Sequence, residues 1–146
     1  MLAEERREQI VRVCGEAIAE RGYSATSVRE IAARAGVSVG TLLHHFGSKD
    51  AILAAALQDA ARTWNRGEAE ILGGPGTPTE RLERLVVWLL TDPLCDRLWR
   101  IYTAFMHEAV FDEGLEASVL QANAEWDAAL TACIPVSYTH LTLPTN

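Results

Sequence analysis

Apolar side chains recur three and four residues apart along almost the whole chain, and no run alternates cleanly between apolar and polar, so the pattern predicts helices throughout. The first runs over residues 3 to 21 with Ile10, Cys14, Ala17 and Ile18 on one face, and stops at Gly22, where a left-handed backbone is free of strain. Tyr23 is then placed to pack back on it. Ser27-Val28-Arg29-Glu30 reads as a capping box, each side chain satisfying the other's backbone N–H, and opens a second helix that ends at Gly36. Ser38 caps a third helix over residues 39 to 46. In the turn Gly47-Ser48-Lys49-Asp50, Ser48 caps a long fourth, whose stripe Leu53, Ala56, Leu57, Ala60, Ala61 and Trp64 continues towards Leu72.

Gly73-Gly74-Pro75-Gly76 breaks the chain and marks a linker between two parts. Thr77-Pro78-Thr79-Glu80 then combines a cap, a proline at the first helical position and a glutamate at the third, opening a helix with the stripe Leu82, Leu85, Val86, Leu89 and Leu90. Asp92-Pro93 repeats the device, and the next helix carries Leu98, Ile101, Tyr102, Phe105, Met106 and Ala109 on one face. A last helix from about residue 113 carries Leu115, Val119, Ala122, Trp126 and Leu130. The final twelve residues, PVSYTHLTLPTN, are β-prone and continue no helical stripe. They resemble a translated adaptor or vector tail, so residues 135–146 are expected to be non-native or disordered and the natural protein to continue differently after about Ile134.

Composition narrows the class without naming a function. With 146 residues, 49% apolar and 23% charged, and a mean hydropathy of +0.03, the chain is an ordinary globular one and neither disordered nor collagen-like. No stretch approaches the ~20 apolar residues of a membrane helix, and residues 1–9 carry five charges where a signal peptide would be apolar. A cytoplasmic protein without a membrane partner is therefore expected. Cys14, Cys95 and Cys133 are far apart and lack metal-ligand spacing, which points to buried free thiols. The net charge of −7 is unevenly spread: residues 1–50 hold 7 basic and 7 acidic side chains, and residues 51–146 hold 6 and 13. The first part can approach a polyanion while the rest stays soluble.

Three short helices in a row, the second pair joined by a turn at Gly36, are what a helix-turn-helix needs. Ala32 stands where the two helices cross, Gly36 makes the turn, and Ile31, Val37 and Leu42 are the expected buried contacts. The alternative is a helical hairpin whose glycine only ends a helix. Ser27 offers a hydroxyl and free N–H groups to a phosphate, and Arg29 adds a charge at the same helix end. In the third helix Ser38, Val39, Gly40 and Thr41 form an exposed first turn for the major groove: Gly40 permits close approach, Thr41 can donate to a base edge, and Val39 can meet a thymine methyl. His44 and His45 can donate to phosphates, and adjacent helical residues point about 100° apart, which argues against a shared metal.

The passage TSVREIAARAGVSVGTLLHHFGSKDAILAAAL resembles the N-terminal domain of the TetR family of bacterial transcriptional regulators, over roughly residues 5 to 60. The resemblance implies an all-α protein: a helix-turn-helix DNA-binding domain at residues 1–48, a connecting helix at 49–72, and a partial helical effector and dimerisation domain at 77–134. It also implies double-stranded DNA as partner and a homodimeric repressor whose ligand alters the separation of two DNA-reading heads. Lys49, the only lysine in the chain, falls where family members hold a backbone phosphate. Leu43 departs from the family, where a tyrosine commonly contacts DNA, and leaves apolar contact with a methyl or sugar. Dimerisation is expected to be weakened, because the two long helices that usually make the interface have no room. An activator of the same family is one rival reading, and a small-molecule-binding helical protein that no longer binds DNA is another.

In the acidic part, Trp88, Trp99, Tyr102, Phe105, Met106, His107 and Phe111 cluster around two helices. Each taken singly reads as core. The resemblance implies that some line a pocket for an apolar or aromatic effector, with Tyr102 or His107 as polar anchor. No phosphate loop, paired carboxylates or nucleophile arrangement calls for catalysis, a cofactor or a metal.

Overall fold

The computed structural model of the chain describes residues 3–133. They form α1 (Ala3–Arg21), α2 (Val28–Ala35), α3 (Val39–Phe46), α4 (Lys49–Leu72), α5 (Pro78–Thr91), α6 (Pro93–Ala109) and α7 (Glu113–Cys133), with no strand among the described residues. Nor is any helix among them long and apolar enough to cross a membrane. The tail from residue 134 lies outside the described residues, as do the side chains of Ala122, Trp126, Leu130 and Cys133.

The caps place the helix starts where the sequence predicts them. Ser27, Ser38 and Ser48 accept hydrogen bonds from the backbone N–H groups of Glu30, Thr41 and Ala51 at 3.2, 2.9 and 3.1 Å. The box at α5 is complete: Thr77 Oγ1 accepts from Glu80 N at 3.3 Å and Glu80 Oε2 from Thr77 N at 2.7 Å. The box expected at α2 is only half made. Glu30 turns instead to two guanidinium groups, Arg21 at 3.3 Å and Arg34 at 2.9 Å, which offer full charge where a backbone N–H offers a dipole. Arg34 also holds Glu20 at 2.7 Å, so this small network ties the end of α1 to α2.

Gly36 ends α2 in the left-handed region (φ 65°, ψ 35°). Its N–H donates to Ala33 O at 3.2 Å and that of Val37 to Ala32 O at 3.0 Å, the reciprocal pair that closes a helix with a glycine and turns the chain into α3. Ile31, Ala32 and Leu42 are buried as expected, while Val37 is half-buried against the same cluster.

One contiguous core runs through the head and beyond it. Cys14 and Ile18 of α1, Leu53 and Leu57 of α4, and Ile101 and Phe105 of α6 all belong to it, and Leu115 and Val119 extend it into α7. Tyr23 does more than pack on α1: its ring meets Phe105 edge-on at 5.1 Å, and its hydroxyl donates to Asp50 at 3.4 Å. Next to it the Ser24 hydroxyl donates to Glu108 Oε1 at 2.5 Å. Thr26, fully buried, donates to Gly22 O at 2.8 Å and so closes the α1–α2 turn from inside.

The stripe expected on α5 is mostly outside the core: only Leu85 is buried, and Leu82, Val86 and Leu90 are exposed. Among the described residues α5 packs on α4 and α6, and the Trp88 ring lies so close to α4 that a β-carbon at Gly67 would stand 2.6 Å from it. Cys14 and Cys95 are free and buried. Burial pushes the Cys14 thiol up to about 12, and its S–H points to Ile52 O at 3.9 Å.

Three outcomes are expected. Phe105→Ala should lower stability by about 3–5 kcal/mol in urea unfolding, since it empties a fully buried site shared by α1 and α6. Gly36→Ala should cost about 1–2 kcal/mol in the same assay, because an L side chain resists the left-handed backbone. Iodoacetamide at pH 8 should leave Cys14 unmodified in the folded protein and label it once unfolded, as read by peptide mass spectrometry; labelling of the folded chain would contradict its burial.

Candidate functional site

A single fully buried side chain, Leu42, anchors the eight-residue α3, with Phe46 half-buried behind it. The other residues of its first two turns therefore face outwards: Val39, Gly40, Thr41, Leu43 and His44 are exposed, while His45 is half-buried. Val39 and Leu43, four apart, form an apolar ridge with 37% and 36% exposure. Beside it Gly40 leaves a gap that internal packing does not require, since the nearest atom to a β-carbon there would be Ser38 Oγ at 3.6 Å. The Thr41 hydroxyl lies 2.9 Å from Ser38 Oγ, which fixes its position at the rim of the ridge.

Flanking groups carry the charge. Ser27 and Arg29 are exposed at the start of α2, and among the described residues Arg29 has no carboxylate within ion-pair distance. Lys49, half-buried at the start of α4, rests its ammonium 5.8 Å above the Tyr23 ring. The His44 and His45 rings are 5.8 Å apart in an edge arrangement. Exposed hydroxyls and, among the described residues, unpaired cations thus sit at the starts of α2 and α4, the helices before and after the glycine-notched α3. Such a surface suits a polyanion whose backbone is held at its edges and whose apolar groups are met in the middle.

A second site lies between α4, α6 and α7. Trp64, Trp99 and Tyr102 line a cleft with Leu57, Ala60, Ala61 and Leu98, and Asn65 and Asn123 supply its polar edge. The Tyr102 hydroxyl donates to Asn123 Oδ1 at 2.6 Å. The cavity measures about 50 Å³, room for a water or two. Trp99 forms its half-exposed wall.

Of the seven residues that cluster in sequence around two helices, Trp99 and Tyr102 line this cleft. Phe105 is core, filled against Tyr23. Met106 and His107 are exposed elsewhere on α6, His107 with its ring 6.2 Å from Phe111. Trp88 stays outside the lining and meets Trp64 in a tilted arrangement at 5.6 Å. Neighbours in sequence scatter around a helix of 3.6 residues per turn, so a cluster along the chain is not a cluster in space. Asn65 and Asn123 went unsuspected because lone amides on polar helix faces carry no pattern.

Residues 10–56 match the family described as bacterial regulatory proteins, tetR family. The transcriptional repressor AcnR of Corynebacterium efficiens is 31% identical over 150 residues, an alignment covering 95% of this chain and 76% of AcnR. A TetR-family regulator from Rhodococcus sp. superposes with a TM-score of 0.71 at 28% identity, over 88% of this chain and 69% of that one. A transcriptional regulator from Saccharomonospora viridis, solved in complex with choline, gives a TM-score of 0.77 at 27% identity over 89% and 68%. With its notched α3 flanked by the charged starts of α2 and α4, and with these relatives, the chain belongs to the TetR family of DNA-binding transcriptional regulators.

Proposed function

We propose that the chain is a cytoplasmic, ligand-responsive repressor that binds an inverted-repeat operator as a homodimer, with α3 in the major groove. The observation that carries this reading is the outward first turn of α3, where Gly40 is bare although a side chain would fit. Thr41 would meet a base edge or phosphate, and Val39 and Leu43 would meet thymine methyls or sugars. Ser27, Arg29, Ser38, His44, His45 and Lys49 are assigned to the backbone on both sides. With no arginine or lysine in α3, bidentate reading of guanine is not expected from this helix, and a second head supplies affinity that one head lacks. Residues 1–48 act as the reading head, 49–72 as the connecting helix and 77–134 as the effector and dimerisation part.

The cleft between α4, α6 and α7 is assigned to the effector. Its named lining carries aromatic rings and amides and no charged side chain, which favours a neutral apolar or aromatic molecule. A quaternary ammonium is the second reading, supported by the Trp64, Trp99 and Tyr102 rings, whose faces attract a cation, and by the choline bound to the Saccharomonospora relative. Either ligand relieves repression only through tighter binding to the conformation in which the heads are mis-spaced.

Selection from a random duplex pool at fixed salt should enrich an inverted repeat; an enriched half-site would remove the dimer from this reading, and no enrichment would remove the operator. On the selected duplex Thr41→Ala should weaken binding by about 1–2 kcal/mol, roughly 5- to 30-fold. Lys49→Ala should lower the slope of log K against log salt by about one. Indole and choline, added in turn, should separate the two effector classes by which of them raises the melting temperature, and Trp99→Ala should abolish the rise.

A further inference from the structure

Some arginines of the first four helices are paired with carboxylates, and others, among them Arg7 and Arg29, are not. Arg12, Arg21 and Arg34 are each engaged by carboxylates of α1 or α2, at 3.4, 3.3 and 2.7 Å. Arg7 has no carboxylate within ion-pair distance among the described residues, and its guanidinium lies over the Phe46 ring, 4.9 Å from the centroid. Its place on α1 makes this more than a solvated surface charge. Residues 7, 10, 11, 14 and 18 follow one helical stripe, of which Ile10, Val11, Cys14 and Ile18 are buried. Arg7 therefore extends the core-facing stripe outwards, to the point where the core ends against the last residue of α3.

Phe46 packs on the edge of the hydrophobic cluster, so its ring is a fixed platform. A guanidinium over an aromatic face keeps the N–H donors at its edge free and is held in place without a counter-charge. The charge stands next to the end of α3 that carries His44 and His45, and α3 has no lysine or arginine of its own. We propose that Arg7 is a positioning residue for DNA: Phe46 holds its guanidinium beside the C-terminal edge of α3, where it contacts a backbone phosphate, so that α1 joins α2 and α4 in gripping the duplex. The inference rests on the DNA-binding reading above and adds a contact that the helix-turn-helix passage itself does not contain.

Fluorescence anisotropy with a random-sequence 30-base-pair duplex, over a salt series, reads phosphate contacts without needing the operator. Arg7→Ala should weaken binding at low salt by about 3- to 10-fold and lower the slope of log K against log salt by about 0.9, the value for one phosphate contact. Arg7→Lys should restore the slope, because charge is what releases the counterion. Arg12→Ala, which removes an equal charge already paired with Glu16, should leave the slope unchanged. Since Arg7 is exposed, its variants should lower the melting temperature by no more than the few degrees that an exposed cation–π contact carries. An unchanged slope for Arg7→Ala, while Lys49→Ala lowers it, would overturn this inference and leave the DNA-binding reading intact. An equal fall for Arg12→Ala would reduce the effect to net charge and overturn it too. If the unaltered chain bound no duplex at any salt, both would fall together.

Discussion

The packing of α1 against α6 is the contact on which both ends of the molecule depend. Gly15 lets the two helices approach until a β-carbon there would stand 3.3 Å from Ile101 Cδ1, and Phe105 closes the other end of the seam against Tyr23. Two helices of eight residues are far too short to persist alone, and a head of about fifty residues buries little apolar surface for its size. By lending Ile101 and Phe105 to the head, α6 supplies the missing core. The same seam brings Glu108 to Ser24, two residues before the buried Thr26 that closes the turn into α2.

Recognition and core make opposite demands on α3. A helix that reads DNA has to expose most of its surface, and one that stays folded has to bury some. Here a single leucine and the half-buried Phe46 satisfy the second demand, and Val39, Gly40, Thr41 and Leu43, the residues proposed to read DNA, stay exposed. Rigidity comes from outside the helix: the glycine turn before it, the serine cap at its start and α4 after it. The three serine caps have a second consequence. Each hydroxyl satisfies a backbone N–H of its own helix, so the helix starts are preformed.

Much of this was legible in the sequence, for local reasons. Helix bounds follow from Gly22, Gly36, the serine caps and the two cap-plus-proline signals, because capping geometry is decided within four residues. The turn from α2 to α3 is local too. Longer-range outcomes were not legible. Glu30 abandons its expected partner because Arg21, from another helix, competes for it. Leu82, Val86 and Leu90 read as a core stripe, but α5 lies at an edge where only Leu85 is covered. Glu68 of α4 is buried although its polarity assigns it to solvent. Phe105 and Tyr102 are equally aromatic and three residues apart; only the placement of α1 and α7 makes one of them core and the other a cleft wall. Reading along the chain finds the helices, and the faces they share are settled by partners dozens of residues away.

The single lysine carries a chemical consequence of its own. Lys49 holds the only side-chain amine in the sequence, and that amine sits at the start of α4 over Tyr23, within the surface assigned to DNA. Acylating agents, whether a metabolic thioester or a laboratory ester, therefore find one ε-amine to modify on this chain, and modification there erases a positive charge. Most proteins spread such chemistry over many harmless sites. In this one it falls on the surface proposed for DNA.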